Sequence, residues 1–131
     1  MAKKHILLID DEPNTLLTIQ FILEVANYKV TTATTGKEAL DKILEATKSD
    51  DKIDLLVLDI SMPCLTGLEL IDELKRLDIN IPILVITGYR PKELVIALMR
   101  KGCGEYLDKP FDDEELIKRI TMLLEKRSIE P

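Results

Sequence analysis

The chain has few of the residues from which many metal and enzyme sites are built. Histidine occurs once in 131 residues, at His5. A single histidine argues against a His-rich zinc site and leaves little room for a histidine-based catalytic triad. The two cysteines, Cys64 and Cys103, show neither a metal-ligand spacing nor a disulfide framework. His5 itself is expected at the surface, where the first strand starts.

An excess of basic charge and a long apolar run are also missing. The net charge is −6, so direct binding of nucleic acid through a basic surface is not expected. No segment resembles a signal peptide, and none is apolar over the length of a membrane-spanning helix. We therefore expect no membrane association and a cytoplasmic location.

Short apolar runs alternate with segments of helical periodicity from one end of the chain to the other. The composition, 46% hydrophobic and 32% charged, is typical of a soluble globular domain. The predicted strands are 6–9, 29–33, 55–58, 83–87 and 105–107; the predicted helices are 14–26, one from Thr35-Gly36-Lys37-Glu38 onward, 66–77, 91–101 and 112–126. Five β-α units indicate an α/β fold with a parallel sheet and helices on both faces. We expect one domain over residues 1–131, with a core of about 4–126.

Several helix ends carry local signals. Pro13 suits a first helical turn, and Gly102 suits a left-handed cap after a basic last turn. Three segments have the spacing of a hydroxyl or carboxylate cap followed three residues later by Glu: Thr35 to Glu38, Thr66 to Glu69, and Asp112 to Glu115. These patterns predict where three helices begin.

Polar side chains follow the apolar runs at the points where the predicted strands end. They are Asp10-Asp11, Asp59, Thr87 and Asp108-Lys109. In an open parallel sheet, ligands bind outside the carboxyl ends of the strands. We therefore expect these residues, although far apart in the chain, to meet at one edge of the sheet.

Such a set of side chains fits phosphoryl transfer with a divalent cation. Asp59 ends the most apolar run and can act as a nucleophile toward phosphorus. Asp10 and Asp11 supply oxygen ligands of the kind that Mg²⁺ prefers. The Lys109 ammonium and the Thr87 hydroxyl can stabilise the charge on phosphoryl oxygens.

These motifs resemble those of the receiver domain of bacterial two-component response regulators. The resemblance rests on Asp10-Asp11, on Leu58-Asp59-Ile60-Ser61-Met62-Pro63 with Gly67, on Thr87-Gly88, and on Tyr106-Leu107-Asp108-Lys109-Pro110-Phe111. It implies a doubly wound, flavodoxin-like sheet of five parallel strands in the order 2-1-3-4-5.

The resemblance also implies roles for individual residues. Asp59 would be phosphorylated, and Mg²⁺ would be held by Asp10, Asp11, Asp59 and the backbone carbonyl of Ser61. Thr87 and Lys109 would stabilise the phosphoryl group, with a cis Lys109–Pro110 bond aiming the ammonium inward. Thr87 and Tyr106 would form a conformational switch; the alternative for Tyr106 is a half-buried aromatic on an edge strand.

The implied function is that of a signalling domain and not of an independent enzyme. A sensor histidine kinase or a phosphotransfer domain would donate the phosphoryl group, and a downstream effector domain or protein would read the altered surface. A homodimer through the surface of helices 91–101 and 112–126 is a further expectation. The chain would be either a free-standing receiver or part of a longer regulator or hybrid kinase.

Two other functions fit parts of this pattern. An aspartyl-phosphate phosphatase or phosphotransferase on a similar sheet often has a second acid two residues after its nucleophile, where this chain has Ser61. A flavin- or nucleotide-binding module needs a loop that cradles phosphate. The first strand-to-helix loop, Asp10-Asp11-Glu12-Pro13, is acidic and has no glycine, so it would repel a phosphate.

Overall fold

Strands and helices alternate in the computed structural model, which describes residues 3–59, 65–88, 92–102 and 104–129. The elements are β1 (His5–Ile9), α1 (Pro13–Val25), β2 (Lys29–Ala33), α2 (Gly36–Thr47), β3 (Leu55–Asp59), α3 (Leu65–Arg76), β4 (Ile83–Thr87), α4 (Lys92–Arg100), β5 (Glu105–Asp108) and α5 (Asp113–Ile129). This is the expected series of β-α units. The last helix continues beyond the predicted end at residue 126.

The five strands form one parallel sheet in the order β2-β1-β3-β4-β5, which confirms the predicted topology. β3 lies at the centre, and its residues pair with β1 on one side and β4 on the other. All five residues of β1, β3 and β4 are buried. Continuous apolar runs are typical of parallel strands covered on both faces.

Two helical layers cover the two faces of the sheet. Successive strand side chains point to opposite faces, so Ile6 and Leu8 pack with α1 and α5, whereas Leu7 and Ile9 pack with α2 and α3. The α1–α5 layer buries apolar helix residues; these are Leu16, Ile19, Leu23, Leu116, Ile120, Leu123 and Leu124. The core therefore consists of one apolar layer on each side of the sheet, and the polar strand ends lie outside both layers.

Most of the predicted helix starts are confirmed. Thr35 caps α2, because its hydroxyl accepts a hydrogen bond from the Glu38 N–H at 3.0 Å. Asp112 does the same for α5, accepting from the Glu115 N–H at 2.8 Å. The prediction for α3 was wrong, because this helix begins at Leu65 and Thr66 lies inside its first turn.

His5 is buried, with 5% of its surface exposed, so its predicted position at the surface was wrong. Its Nε2 lies 2.6 Å from the Thr31 hydroxyl of β2, and its Nδ1 lies 3.3 Å from the Asp51 carbonyl oxygen. Burial, together with the Lys29 charge, lowers the pKa of His5. The ring thus joins β1, β2 and the segment before β3 at the edge of the sheet where the strands begin.

None of the helices in the described ranges has the length and apolar character that a bilayer crossing requires.

Candidate functional site

Asp59 is the last residue of the central strand and its carboxylate is fully enclosed. Its side chain has 0% of its surface exposed, and its Oδ2 lies 2.6 Å from the Lys109 ammonium. The preceding residues, Leu55 to Leu58, alternate between the two apolar layers. The chain therefore places an enclosed carboxylate at the end of a fully buried strand, in direct contact with the Lys109 ammonium.

Asp10 follows the last residue of β1 and is 1% exposed. Its Oδ1 accepts a hydrogen bond from the Glu12 N–H at 3.0 Å, whereas Oδ2 is buried without a hydrogen-bond partner in the described part of the chain. Burial and the neighbouring Asp59 carboxylate raise the pKa of Asp10 to about 7. Two acidic groups thus share a site with low access to water. A bound cation would reduce the electrostatic repulsion between them.

Thr87 and Lys109 come from the next two strands. Thr87 ends β4 and is 2% exposed, and its carbonyl oxygen accepts a hydrogen bond from the Lys109 N–H at 3.0 Å. The Lys109–Pro110 bond is cis, as expected. The Lys109 side chain crosses Gly88, where an added Cβ would lie 3.5 Å from the lysine carbons. A hydroxyl and an ammonium therefore join the carboxylates at the same edge.

The remaining predicted metal ligands are not all brought into this cluster. Asp11 is exposed, and Ser61 lies outside the described residues. Within the described ranges, no three acidic, histidine or cysteine side chains are placed to hold a metal ion together. Mg²⁺ needs only one or two carboxylates besides waters and phosphate oxygens. Asp10 and Asp59 suit that smaller set in chemistry, and the buried Oδ2 of Asp10 is an oxygen suited to a cation.

Tyr106 lies on the edge strand β5, as the resemblance implied. It is partly buried and packs against the core layer on the α2–α3 side of the sheet. Because β5 is paired on one side only, this ring borders the surface as well as the core. Its position suits either a structural or a switching role.

Two features of the site were missed from the sequence. The first is the Glu12 N–H, which binds Asp10 while the Glu12 side chain caps α1 by accepting from the Asn14 N–H at 3.0 Å. The acidic residue directly before Pro13 was the signal for that cap.

The second feature is a cavity of about 580 Å³ beside Lys109, lined by Asn14, Thr15, Thr18, Ile19, Ile22, Gly88, Lys109, Pro110, Phe111 and Asp113. It lies between α1 and the start of α5, where only the tertiary packing could reveal it.

Comparison with known proteins shows one family. Residues 6–121 match the family model of the response regulator receiver domain. The response regulator SaeR of Staphylococcus aureus (strain USA300) is 38% identical over 120 residues, which make up 92% of this chain and 50% of that protein. The chain therefore spans about half the length of the curated relatives that it matches.

Solved structures share the whole fold. A response regulator receiver domain protein (CheY-like) from Methanospirillum hungatei JF-1 superposes with a TM-score of 0.85 at 28% identity, covering 99% of this chain and 100% of that one. A response regulator receiver domain protein from Clostridium thermocellum gives a TM-score of 0.83 at 30% identity, covering 96% of this chain and 98% of that one.

Proposed function

The chain belongs to the family of response regulator receiver domains, and on that premise we propose that Asp59 is its phospho-acceptor. Domains of this family accept a phosphoryl group on an aspartate from a histidine kinase and signal to a downstream partner. The observation that carries the assignment is the contact of 2.6 Å between Asp59 Oδ2 and the Lys109 ammonium, on a side chain with no exposed surface. The acceptor is thereby paired with the cation that will face the incoming group.

In the proposed reaction an Asp59 carboxylate oxygen attacks the phosphorus of a phosphohistidine. The phosphorus–nitrogen bond breaks, its electron pair stays with the leaving imidazole, and an acyl phosphate forms on Asp59. Lys109 neutralises charge on one phosphoryl oxygen, and the Thr87 hydroxyl donates a hydrogen bond to another. Lys109 lines the cavity between α1 and Phe111, and we propose that the donor imidazole approaches from this side.

Mg²⁺ is the proposed cofactor, held by Asp10 and Asp59 with Asp11 and the Ser61 carbonyl completing the set. When bound, the ion would offset the charge of the carboxylates and of the phosphoryl oxygens. The chain's own contribution is the orientation of Asp10, which the Glu12 N–H fixes at 3.0 Å. Support for the cation comes from Asp10 Oδ2, which is buried without a hydrogen-bond partner in the described part of the chain and is an oxygen of the kind that Mg²⁺ prefers.

The conformational response is proposed to pass through Thr87 and Tyr106. Thr87 ends β4, and the register pairs it with Asp108, two residues after Tyr106. A shift of the Thr87 hydroxyl toward a phosphoryl group would therefore act on β5 and its edge. A downstream domain or protein would read this surface, and residues 1–131, with a core of about 4–126, would act as one receiver domain. The cytoplasmic location stays a prediction.

The test is labelling of the chain with acetyl phosphate and Mg²⁺, followed by intact-mass measurement. We expect one adduct of a phosphoryl group, stable in acid and labile in base, and its loss in Asp59→Asn with the melting temperature retained. Asp41→Asn, at an exposed position of α2, is the matched control and should be labelled as the wild type is.

Two outcomes would contradict the proposal. Persistent labelling of Asp59→Asn would move the acceptor to another residue. Continuous consumption of acetyl phosphate, without a slowly decaying adduct, would favour the alternative function of an aspartyl-phosphate phosphatase.

A further inference from the structure

The loop between β1 and α1 contains three acidic residues in a row, Asp10, Asp11 and Glu12, and the third differs from the first in its contacts. Asp10 is buried, whereas Glu12 is exposed and bonded to the helix. Its Oε1 accepts a hydrogen bond from the Asn14 N–H at 3.0 Å. Pro13 has no N–H, so the Asn14 N–H is the first backbone donor of α1 that needs a partner. The Glu12 carboxylate is therefore the N-cap of α1.

The backbone of Glu12 is held from both sides. Its carbonyl oxygen accepts a hydrogen bond from the Leu16 N–H at 3.1 Å, and Leu16 is buried in the α1–α5 layer. Its N–H donates to Asp10 Oδ1 at 3.0 Å. The backbone angles of Glu12, φ −102° and ψ 111°, are the extended ones typical of an N-cap. A continuous series of bonds thus runs from the apolar core through Glu12 to the Asp10 carboxylate.

The orientation of the Asp10 carboxylate depends on that last bond. The Asp10 N–H donates to the Ala33 carbonyl oxygen at 3.1 Å, which fixes the backbone of Asp10 to β2. The final torsion of an aspartate side chain has a broad energy minimum, so the backbone alone does not define where its two oxygens lie. The bond from Glu12 to Oδ1 does, and it leaves Oδ2 as the buried oxygen without a hydrogen-bond partner in the described part of the chain.

We infer that Glu12 is a positioning residue of the magnesium site and not a ligand in it, and that the N-cap of α1 sets the affinity for the ion. The inference rests on the proposed function, because it takes Asp10 as a ligand of Mg²⁺. Without the cap the first turn of α1 opens more often, which releases the Glu12 N–H and lets the Asp10 carboxylate rotate. A site that is ordered for only a fraction of the time binds its ligand more weakly in proportion to that fraction.

The negative charge of Glu12 is the competing explanation for any effect on Mg²⁺. The side chain is exposed, so solvent ions screen its charge. The carboxylate also lies at the positive end of the α1 dipole, which is a favourable position for an anion. Serine is among the most favoured N-cap residues and has no charge, whereas alanine is a poor one. Glu12→Ala and Glu12→Ser therefore lose the same charge and differ only in the hydroxyl that can cap the helix.

Titration of the unphosphorylated chain with MgCl₂, followed by NMR of the backbone amides at constant ionic strength, measures the dissociation constant without phosphoryl transfer. Glu12→Ala should bind Mg²⁺ about two- to fivefold more weakly than the wild type, as the loss of an N-cap implies. Glu12→Ser should bind within about twofold of the wild type. Thr35→Ala, which removes the cap of α2, is the matched control. It should lower the melting temperature but leave the affinity unchanged.

Amide hydrogen exchange in Mg²⁺-free buffer tests the positioning without the ion. The amide of residue 12 should be protected in the wild type and in Glu12→Ser, and should exchange faster in Glu12→Ala. Equal exchange in all three chains would overturn the inference.

The affinities can overturn the inference in three further ways. Equal weakening by Glu12→Ala and Glu12→Ser would assign the effect to charge. Unchanged affinity in Glu12→Ala would show that the cap has no effect on the site, and equal weakening by Thr35→Ala would show a general loss of stability. A wild type that binds no Mg²⁺ would contradict the proposed cofactor instead, and the exchange of the residue 12 amide would then decide whether Glu12 orients Asp10.

Discussion

His5 and Asp10 are ionisable side chains that the fold buries at opposite ends of the same strand. His5 has a hydrogen-bond partner at each ring nitrogen, so it stabilises the fold in its neutral form. Asp10 has a partner for one oxygen only in the described part of the chain. A buried polar atom without a partner costs free energy. The fold therefore satisfies both ring nitrogens of His5, whereas it leaves one oxygen of Asp10 available to the proposed cation.

The pH dependence of stability should contain a contribution from His5. Burial and Lys29 lower its pKa in the folded chain, so below the ordinary histidine value of 6.5 the unfolded chain takes up a proton that the folded chain does not. This stability is fully present above pH 6.5 and is lost as the pH falls toward the folded pKa. The loss is at most about 1.4 kcal/mol per pH unit.

Thermal melts of wild type and His5→Gln between pH 5.0 and 7.5 measure this contribution, over roughly the window in which a histidine titrates. The variant should lose less stability on acidification, because glutamine can still bind Thr31 but cannot take up a proton. Identical pH profiles for the two chains would show that His5 keeps its ordinary affinity for protons.

At the scale of elements, local patterns predicted the strands and helices because each signal lies within a few residues. The Thr35 and Asp112 caps depend on contacts three residues away. The burial of His5 depends on Thr31 and Asp51, which are 26 and 46 residues away, and no local pattern encodes it. The site was predictable for the reason that the strands were, since each polar residue follows an apolar run. The cavity beside Lys109 was not, because it arises where α1 and α5 approach each other.

Gly104, directly before β5, lies close to the Leu123 side chain of α5. A Cβ at Gly104 would lie 2.7 Å from Leu123 Cδ2 and 3.5 Å from the Ile83 carbonyl oxygen. Gly104→Ala should therefore lower the free energy of unfolding by about 1–3 kcal/mol through overpacking. Denaturant unfolding measures the change, and Gly88→Ala, where the added carbon meets only ordinary contacts, should have a smaller effect.

A double-mutant cycle identifies the clash. Leu123→Ala should be less destabilising when Gly104→Ala is present, because the removed methyl groups are those that the new carbon meets. Additive effects of the two substitutions would mean that the cost of Gly104→Ala arises elsewhere.

For the whole molecule, the apolar core and the polar strand ends have opposite effects on the stability of the folded state. The strands bury apolar side chains on both faces, whereas their ends collect two enclosed carboxylates, Asp10 and Asp59. Like charges in a poorly hydrated site destabilise the folded state. The chain should therefore be less stable without a cation than a variant in which one of these charges is removed.

Asp10→Asn tests this balance in Mg²⁺-free buffer at about pH 8, one unit above the raised pKa of about 7. The variant should be more stable than the wild type by on the order of 1–2 kcal/mol, because an amide keeps the bond from Glu12 and removes the charge. Added Mg²⁺ should raise the melting temperature of the wild type by a few degrees and leave that of the variant unchanged.

Sodium chloride at matched ionic strength is the control for screening, and Asp41→Asn should respond to Mg²⁺ as the wild type does. A wild type that melts at the same temperature with and without Mg²⁺ would argue against the proposed cofactor. An Asp10→Asn variant that is less stable than the wild type would show that the buried charge is satisfied by the fold itself.

β3 keeps its packing residues apart from its terminal carboxylate, and this separation bears on how such a chain can evolve. In β3 the first four residues fill the interior, and Asp59 at the end of the strand contacts the Lys109 ammonium. Exchanges among aliphatic residues of similar volume are well tolerated in interiors. Most residues of β3 can therefore be substituted while the carboxylate at its end is retained. Proteins that descend from one ancestor should thus differ in sequence at many interior positions, whereas a few positions at the ends of the strands should keep the same residue.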